Sequence, residues 1–474
     1  MQIKRLSLTL AVAAVALGAS AQQAKYIFYF IGDGMGPNQV AITEYFLGEM
    51  ADSVGLSPIG FTQWPVASLA SNYSASSRVT DSAASGTALA TGHKSNNGFI
   101  GMAPDAETPL KSIAYRAKEA GKRVGIATSV GVNHATPASF FGHNAKRSSY
   151  HDLALELPES GFDFFAGADF CCDHQADTVG VYENAVAGGY TIVRGADGYH
   201  SASSSADKII MLQPTEATAA VGATLPYAID RKEGDMTLRE ITEAGIDFLT
   251  RNGAADQNGF FFMVEGGNID WHVHGNDGAA VIREVADFDN AISAAYDFYL
   301  AHPDETLIVV TADHETGSLN LGTGKYALNL KALANQKVSQ DEMSRIFNAI
   351  RKENNGDISW EMAQTALAEN FGFWTPAMEL TEKQEKYLRD SYEKSFGSSS
   401  NMVKSEYKSN YPLSDAAKRV INEIAMVGWG SGAHSATFIP VFAIGAGAET
   451  FASRSDNATI ARKIADAGGF PVTD

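Results

Sequence analysis

Residues 264–274 combine the side chains that most often bind divalent metal ions in proteins. The segment carries carboxylates at Glu265 and Asp270 and imidazoles at His272 and His274. Because Asp270 and His274 are four residues apart, they share one face if the segment is a helix, and both can then bind one ion. His272 would point away from His274 on that helix, so we exclude it from the site. The alternative for this segment alone is an acidic loop with unrelated histidines.

Similar side chains flank five apolar segments that we predict to be buried strands. These strands are residues 26–31, 124–129, 260–264, 307–311 and 438–444. The flanking groups are Asp33, His134, Glu265, Asp313 and His314 after the first four strands, and His434 before the fifth. Ligands of open α/β sheets bind beyond the carboxyl ends of the strands. The pattern therefore predicts a metal site at one edge of a sheet.

Helical patterns alternate with these strands. The predicted helices are residues 110–120, 238–250, 279–301 and 458–467. This alternation indicates an α/β fold with a mostly parallel central sheet and helices on both faces. Residues from about 325 to 426 are rich in Glu, Lys, Ala, Gln and Asn. They predict a largely helical insertion between two core strands, of the kind that shapes access to a site or a contact between subunits.

Ser82 is placed to start a helix. It follows Asp81 and precedes small residues, and Gly92 is suited to end that helix. Backbone N–H groups at such a start favour negative charge. A serine here caps the helix in the ordinary case. It becomes a nucleophile if a metal ion holds it as an alkoxide.

The ends and charge of the chain restrict its partners. Basic Lys4 and Arg5, an apolar run to Gly18 and small residues before Gln22 predict a signal peptide over residues 1–21, followed by one domain over 22–474. We therefore expect an exported, periplasmic protein without a membrane anchor, because no later apolar run is long enough to span a bilayer. The net charge of −19 argues against tight nucleic-acid binding.

Seven motifs together resemble those of the alkaline phosphatases that use two zinc ions and one magnesium ion. They occur in the family's order across nearly the whole chain. The motifs are Gly32-Asp33-Gly34-Met35-Gly36, Asp81-Ser82-Ala83, Ala135-Thr136-Pro137, Val264-Glu265-Gly266, Asp270 through His274, Thr311-Ala312-Asp313-His314 and the segment around His434.

The resemblance implies a role for each matched residue. Ser82 would be the phosphorylated nucleophile, and Arg147 would bind phosphate. The implied ligands are Asp270, His274 and His434 for one Zn²⁺; Asp33, Asp313, His314 and Ser82 for the other; and Asp33, Thr136 and Glu265 for a third ion, usually Mg²⁺. Two metal ions and an arginine would also supply the positive field that this acidic chain lacks overall.

Two positions near the third ion vary within the family. Some members have Asp where this chain has His134, and Lys where it has Trp271. A histidine removes an anionic group near the metal ligands and adds a nitrogen donor, so Zn²⁺ competes with Mg²⁺ there. Trp271 cannot bind phosphate through water as a lysine can, and a packing role is the alternative for this residue.

The resemblance implies hydrolysis of small phosphate monoesters through a phosphoserine intermediate, and a homodimer. One alternative is a phosphodiesterase of the same superfamily. Ser82 together with Arg147 favours the monoester, whose phosphoryl group has three free oxygens. A second alternative is a non-catalytic periplasmic protein that binds metal or phosphate and needs no nucleophile.

Overall fold

The computed structural model describes residues 23–171, 178–214, 223–324, 326–376, 378–397 and 402–473. The predicted signal peptide lies outside these residues. Within these ranges, no helix is both long enough and apolar enough to cross a bilayer.

Ten strands form one large sheet. The strands of the chain are β1 Tyr26–Gly32, β2 Val66–Ser71, β3 Arg123–Thr128, β4 Phe164–Gly167, β5 Tyr190–Arg194, β6 Lys208–Leu212, β7 Phe260–Gly266, β8 Thr306–Ala312, β9 Glu315–Thr316, β10 Leu319–Leu321, β11 Val403–Lys404, β12 Ser409–Asn410, β13 Val427–Trp429, β14 His434–Ser435, β15 Ile439–Gly445 and β16 Ser455–Asp456. The sheet order is β16-β2-β15-β8-β1-β7-β3-β4-β6-β5. Every neighbouring pair is parallel except the two that involve β15. The predicted, mostly parallel sheet is confirmed, and all five predicted strands lie in it.

Helices cover both faces of this sheet. They are α1 Pro37–Met50, α2 Ser82–Thr91, α3 Ile113–Glu119, α4 Ala135–Ala138, α5 Tyr150–Glu156, α6 Thr178–Ala187, α7 Gly195–Ala202, α8 Leu238–Thr250, α9 Asn268–His274, α10 Gly278–Ala301, α11 Gln340–Glu353, α12 Trp360–Phe371, α13 Glu382–Phe396, α14 Pro412–Ile424 and α15 Asn457–Gly468. Ile27 of β1 faces α15, whereas the ring of Phe28 packs 5.6 Å from that of Phe298 in α10. Successive strand residues point to opposite faces, so β1 is buried from both sides.

The register of the central strands aligns their carboxyl ends. Gly32 of β1 pairs with Gly266 of β7 and with Ala312 of β8. The residues at or just beyond these ends therefore meet at one edge. Because β15 runs antiparallel to β8, the start of β15 lies at this same edge. This explains why His434, which precedes β15, reaches the site, whereas the other candidate residues follow their strands.

The residues between β10 and β13 are largely helical, and we call them the helical segment. They contain α11 to α14 and the short antiparallel hairpin of β11 and β12. Their apolar side chains form a second core that includes Phe347 and Leu413 and extends to Phe46 of α1. Lys418 Nζ donates to the carbonyl oxygen of Gly275 at 2.5 Å, which ties the segment to the end of α9.

Candidate active site

Ser82 is the first residue of α2. The Oδ1 atom of Asp81 accepts a hydrogen bond from the backbone N–H of Ala84 at 3.0 Å, and Gly92 ends the helix with a φ of 77°. The predicted helix start and end are both confirmed. Ser82 is fully buried, and its Oγ atom lies 3.1 Å from Nε2 of His314. The hydroxyl therefore lies at the N-terminus of a helix and beside an imidazole that can bind a metal ion.

Two carboxylates meet His314 at the ends of β1 and β8. Nε2 of His314 lies 3.3 Å from Oδ1 of Asp33 and 3.2 Å from Oδ2 of Asp313. The backbone N–H of Gly34 donates to the other oxygen of Asp313 at 3.1 Å. Gly34 has a φ of 70°, and a Cβ atom there would lie 2.6 Å from a carboxylate oxygen of Asp270. Only glycine fits this turn without displacing a site carboxylate.

A second group forms around α9. Nε2 of His274 lies 3.2 Å from Oδ2 of Asp270 and 3.2 Å from Nε2 of His434. The helix and the shared face of Asp270 and His274 are as predicted. Nδ1 of His274 is 2.7 Å from the carbonyl oxygen of Gly432, and Nδ1 of His434 is 2.8 Å from that of Thr80. Donation from each Nδ1 leaves both Nε2 atoms as free electron-pair donors.

The third group contains Asp33, His134 and Glu265, whose ligand atoms lie within 4.8 Å of one another. Thr128 donates its hydroxyl to Glu265. Both ring nitrogens of His134 are buried and have no hydrogen-bond partner among the described residues, and the same holds for the hydroxyl of Thr136. His134 therefore lies among the candidate metal ligands, together with Asp33 and Glu265.

The site concentrates buried negative charge. Burial and the neighbouring carboxylates raise the pKa of Asp33 well above its ordinary value, and burial is the main cause that raises the pKa of Glu265 to about 7 and of Asp313 to about 8. Burial would raise the pKa of Asp270 as well, but His274 and other imidazoles lower it below its ordinary value. Each of these carboxylates has a buried oxygen without a hydrogen-bond partner among the described residues. Such a donor set fits divalent cations.

Arg147 is hydrogen-bonded to Asp81, the residue before Ser82. Its Nη1 atom is 3.1 Å from Oδ2 of Asp81, and its backbone N–H donates to the carbonyl oxygen of Gly98 at 2.7 Å. No other side-chain hydrogen bond of Arg147 occurs within the described ranges, so the rest of the guanidinium fork is free for an anion. The predicted phosphate-binding arginine and Ser82 are thus joined through one carboxylate.

Sequence reasoning missed three residues of the site. Asp81 connects α2 to Arg147, and its cap position directly before Ser82 was a usable signal. Thr316 donates to Oδ1 of Asp270 at 2.7 Å and is paired with His434 across β9 and β14. Tyr407, in the helical segment, packs on Trp271 with ring centroids 4.4 Å apart. No local sequence pattern predicts this contact.

His272 is outside the site, as expected from its position on α9. Its Nε2 atom lies 3.8 Å from Oε1 of Glu284, and its ring packs 4.0 Å from that of Tyr227. Trp271 is 4% exposed, and its ring lies edge-on to His134 at 6.2 Å.

The chain is similar to known alkaline phosphatases along most of its length. The model of the alkaline phosphatase family matches residues 24–177 and 220–470. Alkaline phosphatase 3 of Bacillus subtilis is 28% identical over 453 residues, which cover 93% of this chain and 88% of that protein. The crystal structure of a cold-active alkaline phosphatase from a psychrophilic Shewanella species is 30% identical, with a TM-score of 0.77, and the match covers 94% of this chain and 100% of that one.

The structure of the alkaline phosphatase from the Antarctic bacterium TAB5 is 26% identical, with a TM-score of 0.65, over 95% of this chain and 99% of that one. Variants of that enzyme in which a histidine is replaced by aspartate or glutamate have magnesium bound in a site called M3. The match of the family model across most of the chain decides the relationship: the chain belongs to the alkaline phosphatase family, whose members hydrolyse phosphate monoesters.

Proposed function

We propose that this phosphatase hydrolyses small phosphate monoesters through a phosphoserine at Ser82. The observation that carries the proposal is the position of the Ser82 hydroxyl, which is 3.1 Å from Nε2 of His314 at the start of α2. Arg147 is tied to the residue that caps this helix, so the nucleophile and the anion-binding group are fixed relative to each other.

The reaction would proceed in two displacements at phosphorus. In the first, Oγ of Ser82 attacks the phosphorus, the bond to the ester oxygen breaks, and the alcohol leaves. In the second, water attacks the phosphoserine, the bond from phosphorus to Oγ breaks, and inorganic phosphate is released. The free part of the Arg147 fork binds non-bridging oxygens in both steps, and the N-terminus of α2 favours the same negative charge.

The donor groups fit two Zn²⁺ and one Mg²⁺, with Zn²⁺ as a competitor at the third site. Asp270, His274 and His434 would hold one Zn²⁺, and Asp33, Asp313, His314 and Ser82 the other. Asp33, Glu265, Thr136 and His134 would hold the third ion. When bound, such ions make hydroxyl groups easier to deprotonate and neutralise charge on the phosphoryl and leaving oxygens.

Trapping of the phosphorylated protein tests the nucleophile. We expect Ser82→Ala to lose monoesterase activity and covalent labelling by ³²P-phosphate after acid quenching, while Asp33, Asp313 and His314 still hold zinc at that site. Ser85→Ala is the matched control, because Ser85 lies in the same helix and donates to the backbone oxygen of Asp313. This control should still be labelled. Undiminished labelling of Ser82→Ala would disprove the proposed nucleophile.

Substrate comparison separates the remaining alternatives. We expect faster hydrolysis of p-nitrophenyl phosphate than of its bis ester, because Arg147 and the metal sites together bind several free phosphoryl oxygens. Preference for the diester would favour a phosphodiesterase. A protein that binds zinc and phosphate but hydrolyses neither ester, with or without Ser82, would be the non-catalytic binding protein.

We also propose export to the periplasm after removal of residues 1–21, an insertion over about 325–426, and a homodimer. Cell fractionation with N-terminal sequencing tests the first, and light scattering during size-exclusion chromatography tests the last. A cytoplasmic full-length chain or a monomer would contradict the respective proposal.

A further inference from the structure

Tyr407 brings the helical segment into contact with the active site. It lies in the turn between β11 and β12, where the backbone N–H of Ser405 donates to the carbonyl oxygen of Lys408 at 2.9 Å. The phenol ring stacks on Trp271 with an interplanar angle of 10°. It also lies edge-on to His134 at 5.9 Å and to His274 at 5.5 Å. One side chain thus spans two of the proposed metal sites.

The phenol also interacts electrostatically with Arg147. Burial lowers the pKa of this arginine, yet its phenolic and acidic neighbours, among them Tyr407 and Asp81, raise it above its ordinary value. The Tyr407 hydroxyl has no hydrogen-bond partner among the described residues, although Arg147, Asp270 and Asp33 all act on it electrostatically. An unpaired donor on a ring that packs against His134 and His274, within electrostatic reach of Arg147, suits a phosphoryl oxygen.

Contacts on both sides of Tyr407 fix its position. The Nζ atom of Lys408 lies 5.1 Å from the centre of the Trp271 ring, which is a cation–π contact. Asn410 donates to the buried carboxylate of Asp341 at 2.6 Å at the end of the hairpin. The hairpin is thus joined to α11, as well as to Trp271. A hydroxyl on a ring held in this way loses little freedom when it binds a ligand.

We propose that Tyr407 is a further catalytic residue, whose hydroxyl donates a hydrogen bond to a non-bridging phosphoryl oxygen beside Arg147. The stack on Trp271 positions that hydroxyl. The inference rests on the proposed function, because it assigns a ligand contact within the same site. It also gives the helical segment a chemical role, namely to deliver one phosphate-binding group from outside the central sheet.

The substitution Tyr407→Phe tests the hydroxyl alone, because it keeps the ring and the stack. We expect inorganic phosphate to bind about 2- to 10-fold more weakly, which is the effect of losing one hydrogen bond. The KM for p-nitrophenyl phosphate should rise similarly, with kcat changed less, and zinc content and Tm should stay as in the wild type. Tyr407→Leu also removes the stack and should weaken phosphate binding further.

Tyr411→Phe is the matched control in the same segment. The Tyr411 hydroxyl bonds to Arg351 and Asn348, at 2.9 and 2.6 Å, and faces the second core. We expect this variant to lower Tm without changing phosphate binding. A merely structural role of Tyr407 would give the same result for Tyr407→Phe, and unchanged phosphate binding in that variant overturns the proposal.

Calorimetry with inorganic phosphate on the zinc-loaded protein separates this inference from the proposed function. If the wild type binds phosphate but hydrolyses no monoester, the proposed function fails, and weaker binding by Tyr407→Phe still supports the contact. If the wild type is an active monoesterase and Tyr407→Phe binds phosphate normally, only the contact fails. A wild type that binds no phosphate refutes both.

Discussion

Asp81 and Arg147 form a 3.1 Å ion pair through one oxygen of the carboxylate, while the other oxygen caps the helix that Ser82 begins. The same Oδ2 atom also accepts a hydrogen bond from the backbone of Gly98 at 3.0 Å, and Gly98 in turn accepts one from the backbone of Arg147. The proposed nucleophile and the proposed phosphate-binding group are therefore held by a single side chain.

Removal of Arg147 should affect phosphate binding far more than folding. We expect Arg147→Ala to weaken inhibition by inorganic phosphate about 10- to 100-fold, because hydrogen bonds to a charged group contribute about 1.5–3 kcal/mol. Tm should change little, since the side chains of the pair with Asp81 are 23% and 20% exposed. Arg147→Lys should be intermediate, because a lysine cannot form the two-pronged contact. Unchanged phosphate inhibition in Arg147→Ala would remove the arginine from the site.

The cap formed by Asp81 predicts a stability difference between two substitutions. Asp81→Ala should lower the free energy of unfolding by about 1 kcal/mol more than Asp81→Asn, because asparagine caps helices as well as aspartate does. Both variants lose the charge that orients Arg147, so both should bind phosphate less tightly. Urea unfolding monitored by circular dichroism measures the difference. Equal stability of the two variants would show that the cap contributes nothing.

Metal removal should abolish activity and destabilise the fold. Without cations, the carboxylates of Asp33, Glu265, Asp270 and Asp313 lie buried and close together. We expect EDTA to eliminate phosphatase activity and to lower Tm, and Zn²⁺ with Mg²⁺ to restore both. The Ser82→Ala variant is the control, since its Tm should respond in the same direction without any activity. Full activity of a protein shown by elemental analysis to be metal-free would disprove the mechanism.

The third site should change its metal preference on replacement of His134. We expect His134→Asp to bind more Mg²⁺ and less Zn²⁺ after dialysis against both ions, because Mg²⁺ selects oxygen over nitrogen donors. Elemental analysis per chain gives the measurement. His200→Asp, at an exposed histidine, is the charge-matched control. An unaltered ratio of the two metals would place His134 outside the ligand set.

The raised pKa of Glu284, a residue outside the candidate metal site, predicts that the stability of the fold depends on pH. Burial and Asp287 raise its pKa from 4.5 to about 8. The folded protein therefore keeps a proton that the unfolded chain has released, and the contribution of Glu284 to the free energy of unfolding falls as pH rises from about 4.5 to about 8. The slope is at most about 1.4 kcal/mol per pH unit.

Glu284→Gln should thus gain stability relative to the wild type as pH rises through that window. Urea unfolding at several pH values measures the difference between the two proteins, in which the contributions of other groups largely cancel. Glu243→Gln is the control for the loss of one carboxylate, because Glu243 is half-exposed at the surface. A constant difference for Glu284→Gln would contradict the raised pKa.

The sequence predicted the central strands and α9 because both are defined by local periodicity. The helix over residues 238–250 agrees at both ends with α8, where a capping box of Thr237 and Glu240 marks the start. Strands β2, β4, β5 and β6 were not predicted, since they are short and lie towards the sheet edges. Their pairing depends on contacts between distant parts of the chain, which periodicity does not encode.

The residues of the candidate site also divide into those that the sequence predicted and those that it did not. The residues to which the resemblance of seven motifs assigned metal-binding roles lie near one another, and His314 groups both with Asp33 and Asp313 and with Asp270 and His434. Their roles as metal ligands remain a proposal. Tyr407 was out of reach because its place depends on how the helical segment packs against α9, through contacts such as that of Lys418 with Gly275. The position of His134 next to Asp33 and Glu265 likewise depends on the path of the loop between β3 and α4.

The strand register that pairs Gly32 with Gly266 and Ala312 affects how well a misfolded chain can bind metal. If β1 slipped by one residue against its neighbours, Asp33 would move by about 3.3 Å and turn to the opposite face of the sheet. A slipped chain would then lack one carboxylate in two of the three ligand groups. If metal ions bind as proposed, their binding would stabilise the native alignment of the strands relative to misaligned forms.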